Sequence, residues 1–363
     1  MSPLSNEQKI GQLFFVGIPG PELDDPTREL LDRVQPGGIC LFARNVRERE
    51  QTRKLLDDLR DYLSPATLFS IDQEGGLVDR LRRVMTPMPA ADRIHSVEDA
   101  RELGHIIAET LRIFGLNMNF APVVDVMDEE RAKLSNGLQS RAFGQSKMES
   151  TELANAFLTA MQEGGIVGCF KHFPGLGASA VDSHRELPLV PIDESEFRST
   201  DLYPYNALLS TGTVRSVMIA HAAFPNVGLQ ERDQNGKLLP SSLSPAIISD
   251  LLRDELGYDG LVVTDDLEMG AIVENYGIGE ACKMAIAAGA DMLAICASVD
   301  AINEGFDAIT LAVESGEITG SRLERSLERI AALKHSVHEP LEFDNARLDD
   351  LSERIAEMNA RLK

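Results

Sequence analysis

Eight short apolar runs alternate with amphipathic stretches along the chain, and this alternation constrains the fold more than any other feature of the sequence. Each apolar run has the length and the β-branched character of a buried strand, and each amphipathic stretch has the one-sided apolar face of a surface helix. Strands are predicted at residues 13–18, 38–42, 67–72, 118–123, 169–172, 216–222, 260–266 and 292–297. Helices are predicted at 27–34, 47–62, 97–114, 148–163, 194–209, 244–257 and 279–288.

Eight strand–helix units predict an α/β fold, a (β/α)8 barrel of the TIM type. Such barrels contain from about 200 to more than 400 residues, so residues 1–363 can form a single domain, with a helical tail from about 301 to 363. A doubly wound open sheet is the alternative, but no Gly-x-Gly-x-x-Gly follows the first predicted strand. The barrel is therefore the preferred interpretation.

The charge of the chain excludes some classes of partner. Lys and Arg number 35 and Asp and Glu 58, a net charge of −23, which argues against nucleic acid or an anionic membrane as a partner. The N-terminus lacks the apolar segment of a signal peptide, and no apolar span reaches 18 residues, so a cytoplasmic protein is predicted. The four cysteines (Cys40, Cys169, Cys282 and Cys296) are far apart, which indicates buried thiols rather than disulfides or a zinc site.

Polar residues stand at the carboxyl ends of several predicted strands. In a (β/α)8 barrel these ends meet at one rim, where the active sites of such enzymes lie. The residues concerned are Asp72, Asp125, Lys171, His172, His221, Asp265 and Asp266. Because independent strands bring ionisable groups to the same rim, this edge is the predicted active site.

The segment after Lys171 and His172 carries a second polar group. Pro174, Gly175 and Gly177 break the strand into a loop that contains Asp182 and His184. Residues two apart in an extended or turn backbone point the same way, so Asp182 can hold one nitrogen of His184 while the other faces a substrate. A carboxylate that orients an imidazole is suited to general acid–base catalysis.

Asp265 and Asp266 end the seventh predicted strand. Successive side chains of a strand point to opposite faces, so the two carboxylates are expected to face different ways, one functional and one structural. The functional reading makes Asp265 a nucleophile or a stabiliser of a cationic centre. The alternative makes both residues caps for the following turn.

Long motifs around these residues resemble those of family 3 glycoside hydrolases. More narrowly, they resemble the single-domain β-N-acetylglucosaminidases of the peptidoglycan-recycling type. The likeness extends from Ile10 to Met292. It is carried by Ile71-Asp72-Gln73-Glu74-Gly75-Gly76, by Asn119-Phe120-Ala121-Pro122-Val123-Val124-Asp125-Val126, by the Lys-His-Phe-Pro-Gly segment from Lys171 to His184, and by Val263-Thr264-Asp265-Asp266-Leu267-Glu268-Met269.

The resemblance implies a role for each matching residue. Asp265 matches the nucleophile that forms a covalent glycosyl-enzyme, and His184, oriented by Asp182, matches the acid/base. A small GlcNAc-containing carbohydrate or muropeptide is the implied substrate, with no cofactor and no metal. Positions that hold the terminal sugar are matched by Asp72, Arg80, Arg141, Lys171 and His172, and His221 is added to this set from its place at the rim.

Two residues depart from the family pattern. Leu77 stands where an Arg is usual, and Leu176 stands in a loop that usually reads Gly-His-Gly-Asp. The residues that match catalytic positions are present, so hydrolysis is still expected. The two departures therefore bear on which sugar and which aglycone are bound.

Three functions stay open at this level. The first is a retaining β-N-acetylhexosaminidase, with a β-glucosidase, another β-glycosidase or a glycoside phosphorylase of the same family as its nearest variants. The second is a metal-dependent hydrolase, since His172, Asp182, His184, His221 and Asp265 are possible ligands. The third is a sugar-binding protein that has lost activity.

Overall fold

The predicted strands form one parallel sheet that curls into a nearly closed barrel in the computed structural model, which describes residues 4–134, 137–180 and 186–362. The fold class predicted from the sequence is confirmed. We number the barrel strands β1 to β8. They are β1 (Phe14–Gly17), β2 (Gly38–Leu41), β3 (Leu68–Ile71), β4 (Met118–Asn119), β5 (in two segments, Val167–Gly168 and Phe170–Phe173), β6 (Ser216–Ile219), β7 (Leu261–Asp266) and β8 (Met292–Ile295).

The barrel closes through the divided strand β5. Its first segment pairs with β4, where Val167 lies beside Met118, and its second pairs with β6, where Phe170 lies beside Val217. At the opposite side β1 pairs with both β2 and β8. Parallel strands need crossover connections, which the helices between them supply.

Adjacent residues of β1 show how the apolar runs are used. Phe14 contacts the ring of Phe306, on the helix that follows β8, with ring centroids 6.0 Å apart. Phe15 meets Phe120, just beyond β4, at 5.1 Å, edge to face. Both faces of the strand are therefore buried, one against a helix and one against a residue from another strand. This explains why the run is continuously apolar rather than alternating.

Helices lie between and after the strands. The α-helices span Asn6–Gly11, Asp25–Val34, Arg49–Tyr62, Val97–Phe114, Lys147–Glu163, Glu194–Glu196, Tyr203–Leu208, Gly270–Val273, Ile278–Ala288, Val299–Ser315, Gly320–His335 and Asn345–Arg361. Segments with π-type hydrogen bonding span Phe197–Asp201 and Ala246–Glu255. Short 3-10 turns span Ala91–Arg93, Arg131–Lys133, Leu209–Thr211 and Ser241–Leu243. A small antiparallel hairpin after β3 joins Gln73–Gly75 to Val78–Asp79.

The continuous helix predicted at 194–209 is wrong, because the structure divides this stretch. A π-type segment, Phe197–Asp201, separates Glu194–Glu196 from Tyr203–Leu208, and Pro204 stands in the first turn of the last segment. Proline has no N–H to donate and its ring crowds the carbonyl four residues earlier, so it belongs at a helix start and not in an interior.

The last helix, Asn345–Arg361, lies against the helix Val97–Phe114. It buries Leu348, Leu351, Ile355 and Met358, and ion pairs border the contact. Arg347 contacts Glu109 at 2.6 Å, and Arg361 contacts Asp99 at 2.6 Å. The helical tail predicted from the sequence is thus attached to the barrel. Among the helices of the described residues, none has the length and apolar character that crossing a bilayer requires.

Replacing Gly104 by Ala is expected to destabilise the protein. A Cβ atom at Gly104, in the helix Val97–Phe114, would lie 2.5 Å from the carbonyl oxygen of Phe157 and 3.0 Å from the Cβ of Ala160 in the neighbouring helix. Separating the helices should cost about 1–3 kcal/mol, which outweighs the gain in helix propensity of about 1 kcal/mol. A lower midpoint in thermal unfolding would show this.

Gly320 provides the matched control. It begins the helix Gly320–His335 and has open space around the position of a Cβ. Gly320→Ala should therefore leave the midpoint unchanged or raise it slightly. If Gly104→Ala behaved like Gly320→Ala, close approach of the two helices would not require glycine at this point.

Candidate active site

A cavity opens at the carboxyl ends of the barrel strands, as the barrel model of the sequence predicts. Of the nine predicted site residues, six line this cavity: Asp72, Arg80, Arg141, Lys171, His172 and Asp265. They come from β5, from β7 and from the loops after β3 and β4. His221 does not line it. The two loop residues Asp182 and His184 lie outside the described residues.

Buried charges of opposite sign form the wall next to β3 and β5. The Lys171 ammonium lies 2.7 Å from Asp72 and 2.7 Å from Glu74. Arg141 donates two hydrogen bonds to Glu74, at 2.8 and 2.9 Å. Burial alone would raise the pKa of Glu74, but Lys171 and Arg141 hold that pKa well below its usual range. The cluster therefore stays ionised and offers both donors and acceptors to a polyhydroxylated ligand.

Glu74 belongs to the charge cluster beside the cavity, a place that the sequence analysis did not predict for it. Its side chain joins Lys171 to Arg141 and is 3% exposed. Its place in the motif with Asp72 was the available signal. A carboxylate between two cations in a buried cluster offsets their mutual repulsion.

Arg80 reaches the cavity from the hairpin after β3. Its Nη2 lies 3.9 Å from Asp72, and its guanidinium lies over the ring of Phe42, 5.8 Å from the centroid. Its Nε is buried and has no hydrogen-bond partner among the described residues. A buried donor without a partner is costly, and an oxygen of a bound ligand can satisfy it.

His172 is oriented by Asp125, a buried residue that follows β4. Asp125 Oδ2 lies 2.7 Å from His172 Nδ1, and Oδ1 accepts the amide of Leu176 at 2.7 Å. One carboxylate thus holds both the imidazole and the start of the loop toward residues 182 and 184. The sequence predicts Asp125 at the rim but does not predict its contact with His172, because the two residues come from different strands.

Asp265 is partly buried at the end of β7, and its carboxyl group has a low proton affinity. The amide of Asp266 donates to its Oδ1 at 2.8 Å. Burial would raise the pKa of Asp265, but His172, His221 and this amide hold it below its ordinary value. The carboxylate is therefore ionised at neutral pH, as a nucleophile must be.

The carboxylates of Asp265 and Asp266 have different contacts: Asp265 Oδ1 accepts the amide of Asp266 at 2.8 Å, whereas Asp266 Oδ1 accepts the amide of Glu268 at 3.1 Å and so caps the following turn. Both line the cavity. The pairing register between β7 and β8 shifts between Val263 and Asp266, so the strict alternation of a regular strand does not hold at its end. The pairing register between β5 and β6 also shifts, between Phe170 and Phe173. Lys171 and His172, which lie between these two residues, both line the cavity.

His221 lies beneath the cavity and not in its wall. Its Nδ1 is 2.7 Å from the hydroxyl of Ser242, and its Nε2 is 3.0 Å from the carbonyl oxygen of Asp266. Burial lowers its pKa, so the ring is neutral and Nε2 can donate to that carbonyl. In this geometry His221 supports the end of β7, and it has no free ring nitrogen with which to contact a substrate.

The remaining residues singled out in the sequence take distinct places. Leu176 lines the cavity, whereas Leu77 is 70% exposed on the hairpin after β3. Glu268 accepts the amides of Ala297 and Ser298 at 2.6 and 2.9 Å, so it caps the chain after β8. Within residues 4–134, 137–180 and 186–362, no three His, Cys, Asp or Glu side chains are grouped as metal ligands.

Replacing Asp266 by Asn should change how stability depends on pH. Burial raises the pKa of Asp266 to about 7, above its unfolded value near 3.8. Between these values the folded chain keeps a proton that the unfolded chain releases, so wild-type stability falls as the pH rises through this window. Asn has no such proton. The free energy of unfolding of the variant minus that of the wild type should therefore increase by on the order of 2–4 kcal/mol between pH 4 and 8.

Urea unfolding at several pH values measures this difference. Asp254→Asn, at an exposed position of the helix Ala246–Glu255, is the control. An Asp266→Asn curve parallel to that of the wild type would contradict a protonated Asp266 in the cavity wall.

Comparison with known proteins gives a consistent assignment. The family model of the glycosyl hydrolase family 3 N terminal domain matches residues 5–333. A beta-hexosaminidase of Psychromonas ingrahamii is 34% identical over 290 residues, which cover 78% of this chain and 82% of that protein.

Solved structures share the fold over nearly the whole chain. A glycoside hydrolase family 3 beta-N-acetylglucosaminidase from Paenibacillus sp. str. FPU-7 superposes with a TM-score of 0.88 at 36% identity, covering 98% of this chain and 69% of that one. A family 3 member from Mycobacterium smegmatis superposes with a TM-score of 0.81 at 30% identity, covering 93% of this chain and 98% of that one. With the barrel and the charged cavity at its rim, these matches show that the chain belongs to glycosyl hydrolase family 3.

Proposed function

We propose that the chain is a retaining β-N-acetylhexosaminidase that removes terminal, non-reducing β-N-acetylglucosamine. The observation that carries the proposal is that Asp265 lies in the same cavity as the Asp72–Lys171–Arg141 charge cluster. A nucleophilic carboxylate beside a set of sugar-binding donors and acceptors is the arrangement that glycoside hydrolysis needs. The named relatives support the choice of sugar.

In the first step the Asp265 carboxylate attacks the anomeric carbon. A bond forms between a carboxylate oxygen and that carbon as the glycosidic bond breaks, and the departing oxygen takes a proton from the acid/base. The positive charge that develops on the sugar is stabilised by the buried carboxylate. A low pKa of Asp265 keeps it unprotonated for this attack.

In the second step water releases the sugar. We assign the acid/base to His184 and its orientation to Asp182, on the basis of their motif. Neutral His184 takes a proton from water, the water oxygen bonds to the anomeric carbon, and the ester to Asp265 breaks. Two displacements at one carbon retain its configuration.

The terminal sugar is assigned to the charged wall. Asp72 accepts from hydroxyl groups, whereas Lys171, Arg141 and Arg80 donate to hydroxyl or acetamido oxygens. His172, held by Asp125, presents its Nε2. His221 acts through Asp266 and β7, a positioning role that replaces the direct contact expected from the sequence.

The aglycone is proposed to be the remainder of a peptidoglycan-derived muropeptide. The relevant partner is thus a small carbohydrate, with neither nucleic acid nor a membrane surface involved. The cavity wall also contains Leu176, Phe42 and Met269, which can contact apolar faces of a sugar.

Turnover of a panel of chromogenic glycosides tests the proposal. Nitrophenyl β-GlcNAc, β-GalNAc and β-glucoside should be compared with and without phosphate, and the first anomer formed should be identified by NMR. Preference for β-GlcNAc with a β product and no phosphate effect supports a retaining hexosaminidase. Preference for the glucoside or a requirement for phosphate would assign a β-glucosidase or phosphorylase, and no turnover would indicate a binding protein.

A further inference from the structure

A buried ion pair lies next to the loop that follows β5. Arg131, in the 3-10 turn Arg131–Lys133, donates two hydrogen bonds to Asp201, of 2.7 and 3.0 Å. The two side chains are 5% and 0% exposed. A second carboxylate, that of Glu196, accepts from the same guanidinium at 2.7 Å. Neither Arg131 nor Asp201 lines the catalytic cavity, and the proposed hydrolysis gives them no role.

The loop approaches this pair at two glycines. A Cβ at Gly175 would lie 2.8 Å from both Cβ and Oδ1 of Asp201. A Cβ at Gly177 would lie 2.1 Å from the carbonyl oxygen of Val126 and 3.1 Å from Nη1 of Arg131. That carbonyl oxygen in turn accepts from Arg131 at 3.2 Å. The backbone of the loop therefore packs directly against the ion pair and against a carbonyl group that Arg131 holds.

The same stretch of loop forms part of the cavity wall. Leu176, between the two glycines, and Ser179 both line the cavity. The amide of Leu176 donates to Asp125 at 2.7 Å, and Arg131 bonds the carbonyl of the next residue, Val126. Residues 175–179, which we call the loop base, are thus held from the cavity side by Asp125 and from the other side by the ion pair.

Stability alone does not account for a buried ion pair at this place. The cost of removing two charges from water offsets much of their attraction, and apolar residues in their place are often equally stable. Asp201 also ends the π-type segment Phe197–Asp201, and such segments occur frequently at functional sites. A positioning role for the pair explains both features.

We propose that Arg131 and Asp201 are positioning residues that fix the loop base and, through it, the acid/base His184. His184 follows Ser179 by five residues in the same loop. The inference rests on the proposed function, because that function assigns the acid/base to His184. The ion pair itself touches neither sugar nor water in the reaction. It acts only by holding the backbone from which the catalytic part of the loop continues.

Replacing Arg131 by Met should slow the steps that need proton transfer. Burial raises the pKa of Asp201, so without Arg131 this carboxyl can take up a proton instead of remaining as an unpaired buried charge. Because a misplacement of about 1 Å can cost on the order of 100-fold in rate, kcat/KM for a poorly activated disaccharide should fall by on the order of 10–100-fold. With a dinitrophenyl glycoside the burst of phenol should remain while steady-state turnover falls. Arg131→Lys, which keeps the charge, should recover part of the loss.

Arg253→Met is the matched control. Arg253 pairs with Asp291 at 2.6 Å, and the side chains are 10% and 0% exposed. Asp291 directly precedes β8, at the end of the strand opposite the cavity. This variant should lower the thermal midpoint as a lost buried pair does, but any loss of activity should be the same for both classes of substrate.

Hydrogen exchange measured by mass spectrometry tests the contact without turnover. Amides of the loop base should exchange faster in Arg131→Met than in the wild type, by more than those of the barrel strands. Arg253→Met should show no such local increase. The double variant Arg131→Met/Asp201→Leu removes the pair without leaving a buried charge, so it should keep a midpoint near that of the wild type and still show the same kinetic and exchange changes.

Unchanged exchange in the loop base of both Arg131 variants, single and double, would overturn the proposal. An equal loss for activated and unactivated substrates would do the same, as would the Arg131 pattern appearing in Arg253→Met. If His184→Ala itself shows no dependence on the leaving group, the proposed function fails at its acid/base. The exchange result then still supports or overturns the contact between the ion pair and the loop base, so the two failures are distinguishable.

Discussion

Replacing Asp265 by Asn is expected to lower kcat/KM for β-GlcNAc substrates by on the order of 10⁴-fold or more, because the amide cannot form the covalent intermediate. Both activated and unactivated leaving groups should be affected, since each reaction begins with the same attack. Asp266→Asn is the matched control. It changes the adjacent carboxyl in the same cavity and leaves the nucleophile in place, so its loss of activity should be much smaller.

Covalent labelling distinguishes direct attack from assistance by the substrate. A 2-fluoro glycosyl donor lacks the acetamido group, so it should label wild-type Asp265, and peptide mass spectrometry would locate the adduct. In the competing mechanism the acetamido oxygen attacks, and the Asp pair only orients it. Absence of an adduct together with strong inhibition by a thiazoline mimic would favour that mechanism.

Replacing His184 by Ala should produce a loss that depends on the leaving group. General acid–base catalysis contributes about 10²–10⁴-fold, so kcat/KM for a poorly activated disaccharide should fall by on the order of 10³-fold. A dinitrophenyl glycoside needs no protonation, so the glycosyl-enzyme should still form and then accumulate. Stopped-flow absorbance should show a burst of about one equivalent of phenol, and Asp182→Asn should behave similarly but more mildly.

His105→Ala is the control for this experiment, because His105 is exposed on the helix Val97–Phe114. An equal loss for both classes of substrate, with no burst, would place the acid/base elsewhere. Glu74 and Glu268 are poor substitutes, since one is paired with two cations and the other caps backbone amides. Asp266 would then be the residue to replace, because its pKa of about 7 suits a proton donor.

Much of the architecture could be predicted because local pattern and fold agree. The eight apolar runs became the eight barrel strand positions, and the helix Val97–Phe114 has the predicted limits. Ser96 caps the start of this helix, and Gly115 ends it in a left-handed conformation. Both limits therefore depend on residues next to the helix in the sequence. Pro204 is a local signal of the same kind, since proline is suited to a helix start and not to an interior, and the stretch predicted as one helix at 194–209 is divided just before it.

The sequence by itself determined the barrel and the rim at which its strand ends meet, because the carboxyl ends of the parallel strands converge in such a fold wherever their side chains point. Only the tertiary structure decided how those residues act. Glu74 joins Lys171 to Arg141, and Asp125 holds His172, through contacts between different strands that no local pattern contains. The pairing register shifts at the end of β7, where Asp265 and Asp266 both line the cavity, whereas His221, just after β6, contacts the carbonyl oxygen of Asp266 and does not line the cavity. The direction of a side chain depends on how neighbouring strands pair, and pairing is a property of the whole barrel.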